Sequence, residues 1–118
     1  MLNTVPPWPR PPRACPNDQL RLVPGGALVC VAGLVLVRQR PGTAKGVIFV
    51  TLEDETGVCN VVVWAKVFET FRRAVIAGRL LRVTGRLQRE GGVEHVIAEK
   101  VEDLSPLLDR LVEPQGLD

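Results

Sequence analysis

Residues 46–64 constrain the fold most, because they predict two β-strands joined by a tight turn. β-Branched residues dominate both runs, and the polar stretch 54–56 leads into Gly57, whose backbone tolerates positive φ. Successive side chains of a strand point to opposite faces, so each run divides into two sets. The apolar set that we expect to face a core consists of Ile48, Val50, Leu52, Cys59, Val61 and Val63.

The opposite face of this hairpin mixes rings with polar groups. Its members are Phe49, Thr51, Glu53, Asn60, Val62 and Trp64. Aromatic rings on a strand suit stacking against nucleobases, each worth roughly 1–3 kcal/mol. Two alternatives stay open: the N-terminal segment covers the rings, or a register shift of one residue turns them into the core. We take Phe49 and Trp64 as candidate stacking residues and Thr51 as a neighbouring candidate contact.

Length and composition indicate one globular domain. The chain has 118 residues, of which 46% are hydrophobic and 24% charged, and these values exclude disordered and fibrous classes. The longest apolar run, 28–37, is about half the length of a bilayer-spanning helix. Prolines precede any apolar run, which argues against a secretory signal. We expect a cytoplasmic protein without a membrane segment.

The sequence shows no pattern typical of a metal, cofactor or catalytic site. Its three cysteines, which lack the paired spacing of zinc ligands, are Cys15, Cys30 and Cys59. The single histidine, His95, shares a strand face with Val93 and Ile97, which favours a packed or partly exposed residue over a catalytic base. Adjacent carboxylates at 53–55 alternate in direction and belong to a turn. We therefore expect a non-catalytic chain with no cofactor and no metal.

Charge is distributed unevenly along the chain. The net charge is +2, yet residues 38–89 hold ten basic and four acidic residues, whereas residues 90–118 hold two basic and eight acidic ones. A basic middle is typical of polyanion binding, although a solvated charged surface is the simpler alternative. The candidate phosphate contacts are Arg38, Arg40, Lys45, Arg82, Arg86 and Arg89.

The remaining segments complete a small barrel. Residues 27–38 read as a long strand in which Gly33 marks a bulge or bend, so that one strand serves both sheets. Residues 65–77 show helical spacing and end at Gly78, which predicts a helix that plugs one end. Residues 79–88 and 93–104 read as two more strands.

This order of elements predicts an all-β fold, the five-stranded OB-fold Greek-key barrel with one helix between strands 3 and 4. SH3-like barrels have five strands but no helix at that point. We expect the barrel at 25–104, preceded by a proline-rich lead at 1–24 and followed by a short helical turn and acidic tail at 105–118. The lead reads by default as a linker, with a peptide ligand or a strap on the domain as alternatives.

Several stretches together resemble one polymerase family. They are residues 31–46, 49–57, 63–69, 85–92 and 102–104. The chain over 28–108 is similar to the C-terminal OB domain of error-prone DnaE-type (ImuC-like) bacterial DNA polymerases, in the DNA polymerase III alpha-subunit family. The resemblance implies a module of lesion-bypass replication that holds single-stranded template near a polymerase. It also implies that Phe49 is a stacking position and Asn60 a polar base contact.

Three hypotheses follow for function. The leading one is a non-enzymatic module that binds single-stranded DNA with little sequence preference, because the resemblance does not cover the polymerase catalytic regions. The second is a protein-interaction module that contacts other polymerase domains, replication or repair proteins, or a second copy of itself. The third is anticodon-type RNA binding.

Overall fold

The computed structural model describes residues 14–40 and 46–109. Within them five strands form a closed barrel in the order β1-β2-β3-β5-β4, and two short helices lie between β3 and β4. The strands are β1 Leu28–Gln39, β2 Ile48–Asp54, β3 Gly57–Val63, β4 Leu80–Glu90 and β5 Val93–Asp103. The helices are α1 Ala65–Thr70 and α2 Arg72–Ala77. A 3-10 helix, Asn17–Leu22, precedes the barrel, and residues 105–109 form a helical turn after it.

The pairing of the strands confirms the predicted fold class. β1 pairs with β4 through residues 28–34 and with β2 through residues 34–39, so one strand serves both sides of the barrel. β3 and β5 pair in parallel, and the other neighbours are antiparallel. Gly33 lies where β1 changes partner, while the register shift of β1 falls between Val35 and Val37.

The apolar face predicted for the hairpin is the core face. All six of its members are buried, and they pack with residues of β1, β4 and β5. Val62 lies on the outer face, as its parity predicts, and is nevertheless buried. Its register partners are Phe49 on β2 and Ile97 on β5, which flank it from both sides.

The helical region is broken where the spacing predicts a continuous helix. The backbone of Phe71 leaves helical geometry, with φ −115° and ψ 31°, and separates α1 from α2. The break lets Phe68 and Val75 both be buried in the core, with the partly buried Phe71 packed against it. Arg38 closes this end of the barrel: its Nε donates to the carbonyl of Val75 at 2.6 Å, and its guanidinium also donates to the carbonyl of Gly78.

The described part of the proline-rich lead packs as a strap. Leu20 enters the core, and the backbone N–H of Asn17 donates to Asp54 Oδ2 at 2.9 Å. The Asn17 side-chain amide donates to the carbonyl of Gly57 at 3.1 Å. This segment lies against the β2–β3 turn and leaves Phe49 and Trp64 uncovered. Residues 1–13 are outside the described chain, and the boundary at residue 25 stays a prediction.

Asp54 joins the strap to the hairpin, and its replacement should destabilise the domain. Its carboxylate is buried, with 6% of the residue exposed, and Oδ1 accepts hydrogen bonds from the backbone N–H groups of Thr56 and Gly57. Asp54→Ala leaves these donors and that of Asn17 without their acceptor, which should lower the free energy of unfolding by about 2 kcal/mol. Urea unfolding measures the change. Glu53→Ala on the same strand is the control, and an equal loss in both variants would contradict the role of Asp54.

Candidate nucleic-acid interface

The outer surface of β2, β3, β5 and β4 carries two rows of side chains that cross the strands. In the first row Phe49 is opposite Val62, and Val62 is opposite Ile97. In the second row the register partners run from β2 across to β4. They are Thr51, Asn60, His95 and Gln88. The apolar row and the polar row therefore lie side by side.

Trp64 extends the apolar row at the end of β3. It is 54% exposed and Phe49 is 36% exposed, so both rings are accessible. Both line one depression of about 480 Å³, with Val62 and Ile97 among its other lining residues. We call Phe49, Val62, Trp64 and Ile97 the aromatic patch.

A polar margin, consisting of Thr51, Asn60, Gln88 and His95, borders the aromatic patch. A second depression of about 270 Å³ shares Phe49 and His95 with the first and also contacts Thr51 and Asn60. The hydroxyl of Thr51 donates to Asn60 Oδ1 at 3.3 Å. This hydrogen bond orients the amide so that its NH₂ group points away from Thr51. Amide and imidazole groups can donate to or accept from the edges of bases. The margin thus offers hydrogen-bonding groups next to a stacking surface.

Those predicted cations that the structure describes do not gather into a single rim. Arg38 is directed to the carbonyls at the end of α2, as described above. Arg89 donates to the strap carbonyls of Leu20 and Val23 and pairs with Glu94 at 2.8 Å. Both arginines therefore hold parts of the fold together. Lys45 lies outside the described residues.

The other three arginines occupy different surroundings. Arg82 forms a two-pronged ion pair with Glu102, with distances of 2.6 and 3.0 Å. Arg86 is the β4 partner of Ile97, beside the aromatic patch, and its exposed side chain lies 3.4 Å from Glu99. Arg40 lies over the ring of Phe68. Arg40 and Arg86 are therefore the predicted cations best placed to meet a ligand.

The Arg82–Glu102 pair predicts a pH effect on stability. The hydrogen bond from Arg82 lowers the pKa of Glu102 from its ordinary value of 4.5 and raises the pKa of Arg82. A lowered carboxylate pKa stabilises the fold above pH 4.5, and this contribution is lost as the pH falls through the folded value. The pair is partly exposed, so we expect at most about 1 kcal/mol. Urea unfolding from pH 6 to 3 should show a smaller acid loss in Glu102→Gln, and equal losses would contradict the assignment.

Four interface residues were not among the sequence candidates: Val62, Gln88, His95 and Ile97. The parity of His95 and Ile97 placed them on one strand face, but strand spacing could not reveal which strand lies next to β5. The parallel pairing of β3 with β5 brings His95 opposite Asn60. The sequence contains one hint of this interface: His95 is a polar residue on the strand face that it shares with Val93 and Ile97.

The structure gives no support to a metal or thiol site in the part of the chain it describes. No group of His, Cys, Asp or Glu side chains there is arranged to hold a metal ion. Burial raises the pKa of the Cys59 thiol to about 12, with smaller contributions from the charges of Asp54 and Glu94, so the group stays protonated. Within the same residues no helix has the length and apolar character needed to cross a membrane.

Comparison with known proteins agrees with this architecture. Residues 29–104 match the family described as OB-fold nucleic acid binding domain (tRNA_anti-codon). An error-prone DNA polymerase of Ruegeria pomeroyi is 62% identical over 106 residues, which are 90% of this chain and 10% of that protein. Error-prone DNA polymerase 1 of Rhizobium meliloti is 58% identical over 86 residues, 73% of this chain and 8% of that protein. The chain thus spans about a tenth of the length of the curated relatives it matches.

Solved structures show the same barrel. The asparaginyl-tRNA synthetase from Pyrococcus horikoshii superposes with a TM-score of 0.58 and 32% identity over 68% of this chain and 20% of that chain. The Stn1-Ten1 complex of S. pombe superposes with a TM-score of 0.59 over 75% of this chain and 66% of that chain, and its 20% identity supports the fold alone. With the barrel, the patch and the family match in agreement, this chain belongs to the OB-fold nucleic acid binding domain family and resembles the corresponding segment of error-prone DnaE-type DNA polymerases.

Proposed function

We propose that this chain is the single-stranded-DNA-binding module of an error-prone, lesion-bypass DNA polymerase. It holds template DNA by stacking and phosphate contacts, with little sequence preference. The observation that carries the proposal is the aromatic patch: two accessible rings, Phe49 and Trp64, share one depression on the outer face of the barrel. The similar proteins are error-prone DNA polymerases, and for this reason we identify the bound single strand as template DNA.

Stacking accounts for tolerance of sequence. Every base has a π-face, so rings bind all bases, and two rings serve about two bases. Val62 and Ile97 line the same depression as the two rings, and an unstacked base there would bury apolar surface. A duplex keeps its bases stacked inside the helix, and the patch therefore favours a single strand.

The polar margin and Arg86 complete the proposed contacts at the aromatic patch. Asn60, Gln88 and His95 are positioned to bond base edges beside the patch. Arg86 is in an exposed pair with Glu99, and such pairs contribute little, so a phosphate can replace the carboxylate. Arg82 and Arg89 already have carboxylate partners, and we assign them to the fold rather than to the strand.

Fluorescence titration tests this proposal. The chain has two tryptophans, so Trp8→Phe isolates the emission of Trp64. We expect an unlabelled single strand of eight thymidines to quench Trp64, and the affinity to fall with salt by a logarithmic slope of about 0.7 for each phosphate contacted. If the Trp8→Phe protein binds the strand as tightly as the wild type does while the emission of Trp64 stays unchanged, stacking on Trp64 is contradicted. An RNA oligomer of matching sequence is the comparison, and clear preference for RNA would move the function to anticodon-type binding.

A second candidate function is protein interaction, favoured by the far end of β1. Leu36 and Val37 are exposed, and pairing with β4 ends at Leu34, so among the described strands only β2 pairs with this part of β1. Sedimentation of the wild type over a range of concentrations tests it. Self-association that Leu36→Asp abolishes, without any oligonucleotide affinity, would favour this function over the first.

A further inference from the structure

We propose that Arg40 and Arg72, both stacked on Phe68, form a second site that binds the phosphodiester backbone of a nucleic-acid strand leaving the aromatic patch. We call these three residues the arginine clasp. The proposal rests on the proposed function and adds to it a phosphate site on the helical side of the barrel.

The clasp is a defined arrangement of two cations on one ring. The guanidinium carbon of Arg40 lies 5.2 Å from the centroid of the Phe68 ring, and that of Arg72 lies 4.9 Å from it. Phe68 is itself fixed in the core, with 7% of the residue exposed. Attraction between a cation and the ring face holds each guanidinium in place, which lowers the entropy lost when it binds a ligand.

Arg40 and Arg72 differ from four other arginines in having no carboxylate partner in the described part of the chain. Arg79, Arg82, Arg86 and Arg89 each form an ion pair with an acidic side chain. Neither Arg40 nor Arg72 forms one within residues 14–40 and 46–109. Both guanidinium carbons lie about 5 Å from the same centroid, so they are at most about 10 Å apart, comparable to the screening length at 0.1 M salt. Their repulsion is therefore only partly screened, and an anion between or beside them would relieve it.

The chain places the clasp next to the aromatic patch. The backbone N–H of Phe68 donates to the carbonyl of Trp64 at 2.9 Å, so the clasp ring is one helical turn from a patch ring. Arg40 follows Gln39, which lines the depression around Phe49 and is the register partner of Phe49. A nucleic-acid strand stacked on the patch therefore reaches the clasp where β3 leads into α1. This continuity favours a nucleic-acid backbone over an acidic peptide.

Paired oligonucleotides of different length test the clasp. A thymidine dinucleotide occupies the patch alone, whereas a strand of eight thymidines reaches beyond it. For Arg40→Gln/Arg72→Gln we expect affinity for the longer strand to fall about 10- to 30-fold at 0.1 M salt, with the salt slope reduced by roughly 1.4, the value for two lost phosphate contacts. Affinity for the dinucleotide should be unchanged. Arg73→Gln, an exposed arginine on the same helix, is the matched control with little expected effect.

Other results would overturn the clasp without touching the patch. Equal losses for Arg73→Gln and the double variant would show a diffuse charge effect. Unchanged binding of the longer strand, with Trp64 still quenched, would refute the clasp and leave the proposed function intact, whereas absence of all strand binding by the wild type would refute both. NMR of the arginine Nε–H groups adds a direct reading: shifts of Arg40 and Arg72 with a poly-glutamate peptide but not with the strand would assign the site to a protein and overturn the proposal. Arg→Lys variants should recover only part of the affinity, because lysine keeps the charge and loses the planar contact.

Discussion

Replacing both Phe49 and Trp64 with alanine should weaken binding of a strand of eight thymidines by at least about 30-fold. Each stacked base contributes roughly 1–3 kcal/mol, so loss of two rings removes roughly 2–6 kcal/mol. The salt slope should stay near its wild-type value, because the phosphate contacts remain. Fluorescence anisotropy of a labelled strand, at two salt concentrations, measures both quantities.

Ile76→Ala is the control for this double variant. The exposed fraction of Ile76, 51%, is similar to the 54% of Trp64, and Ile76 lies on α2 and lines neither depression. We expect its affinity to match the wild type. Thermal unfolding of the double variant checks that the barrel persists, since Phe49 flanks the buried Val62. A folded double variant with wild-type affinity would remove the basis of the proposed interface.

Gly85→Ala should destabilise the barrel by about 4 kcal/mol, a loss at the upper end for single substitutions. A Cβ atom at this position would lie 2.1 Å from the carbonyl oxygen of Ile97 and 3.0 Å from the Cα of Ala98. These are backbone atoms of β5, so no side-chain rotation relieves the contact. Gly85 also sits at the register shift between β4 and β5, and β5 would have to move as a whole. Urea unfolding measures the loss.

Gly25→Ala is the matched control for Gly85→Ala. A Cβ atom there would meet nothing within 4 Å, and the φ angle of Gly25 is not in the left-handed range. We expect its stability to lie within about 0.5 kcal/mol of the wild type. Equal stability of the two variants would show that β5 adjusts more easily than the backbone contact implies. A cooperative transition with an unchanged denaturant slope confirms that the fold is retained.

The hairpin shows how far the sequence alone can predict structure. Alternation along β2 and β3 placed Ile48 and Val61 in the core and Phe49 and Trp64 outside, as the barrel has them. That inference needs only the period of two in a strand, a local property. The break at Phe71 was missed because helical spacing reports which residues share a face. It does not report where the backbone must turn to fit a curved sheet.

The interface was only half visible in the sequence, for a different reason. Its rings belong to consecutive strands, but His95 and Gln88 come from strands distant along the chain. A one-dimensional pattern contains no rule for which strands become neighbours, so the polar margin required the tertiary pairing of β3 with β5.

By itself the sequence determined the strands, the inner and outer faces of the hairpin and the barrel with its intervening helix, because these depend on local periodicity and order. The family followed from the resemblance of particular stretches of residues. Only the tertiary structure decided which of the cations pair with a carboxylate. Counting charges along the sequence showed a basic middle, but it could not show which charges pair in the folded chain. Arg82 pairs with Glu102, 20 residues later in the chain. Arg40 and Arg72 instead both lie over the ring of Phe68. Electrostatic partners are set by distance in space, and that distance is fixed only once the barrel closes.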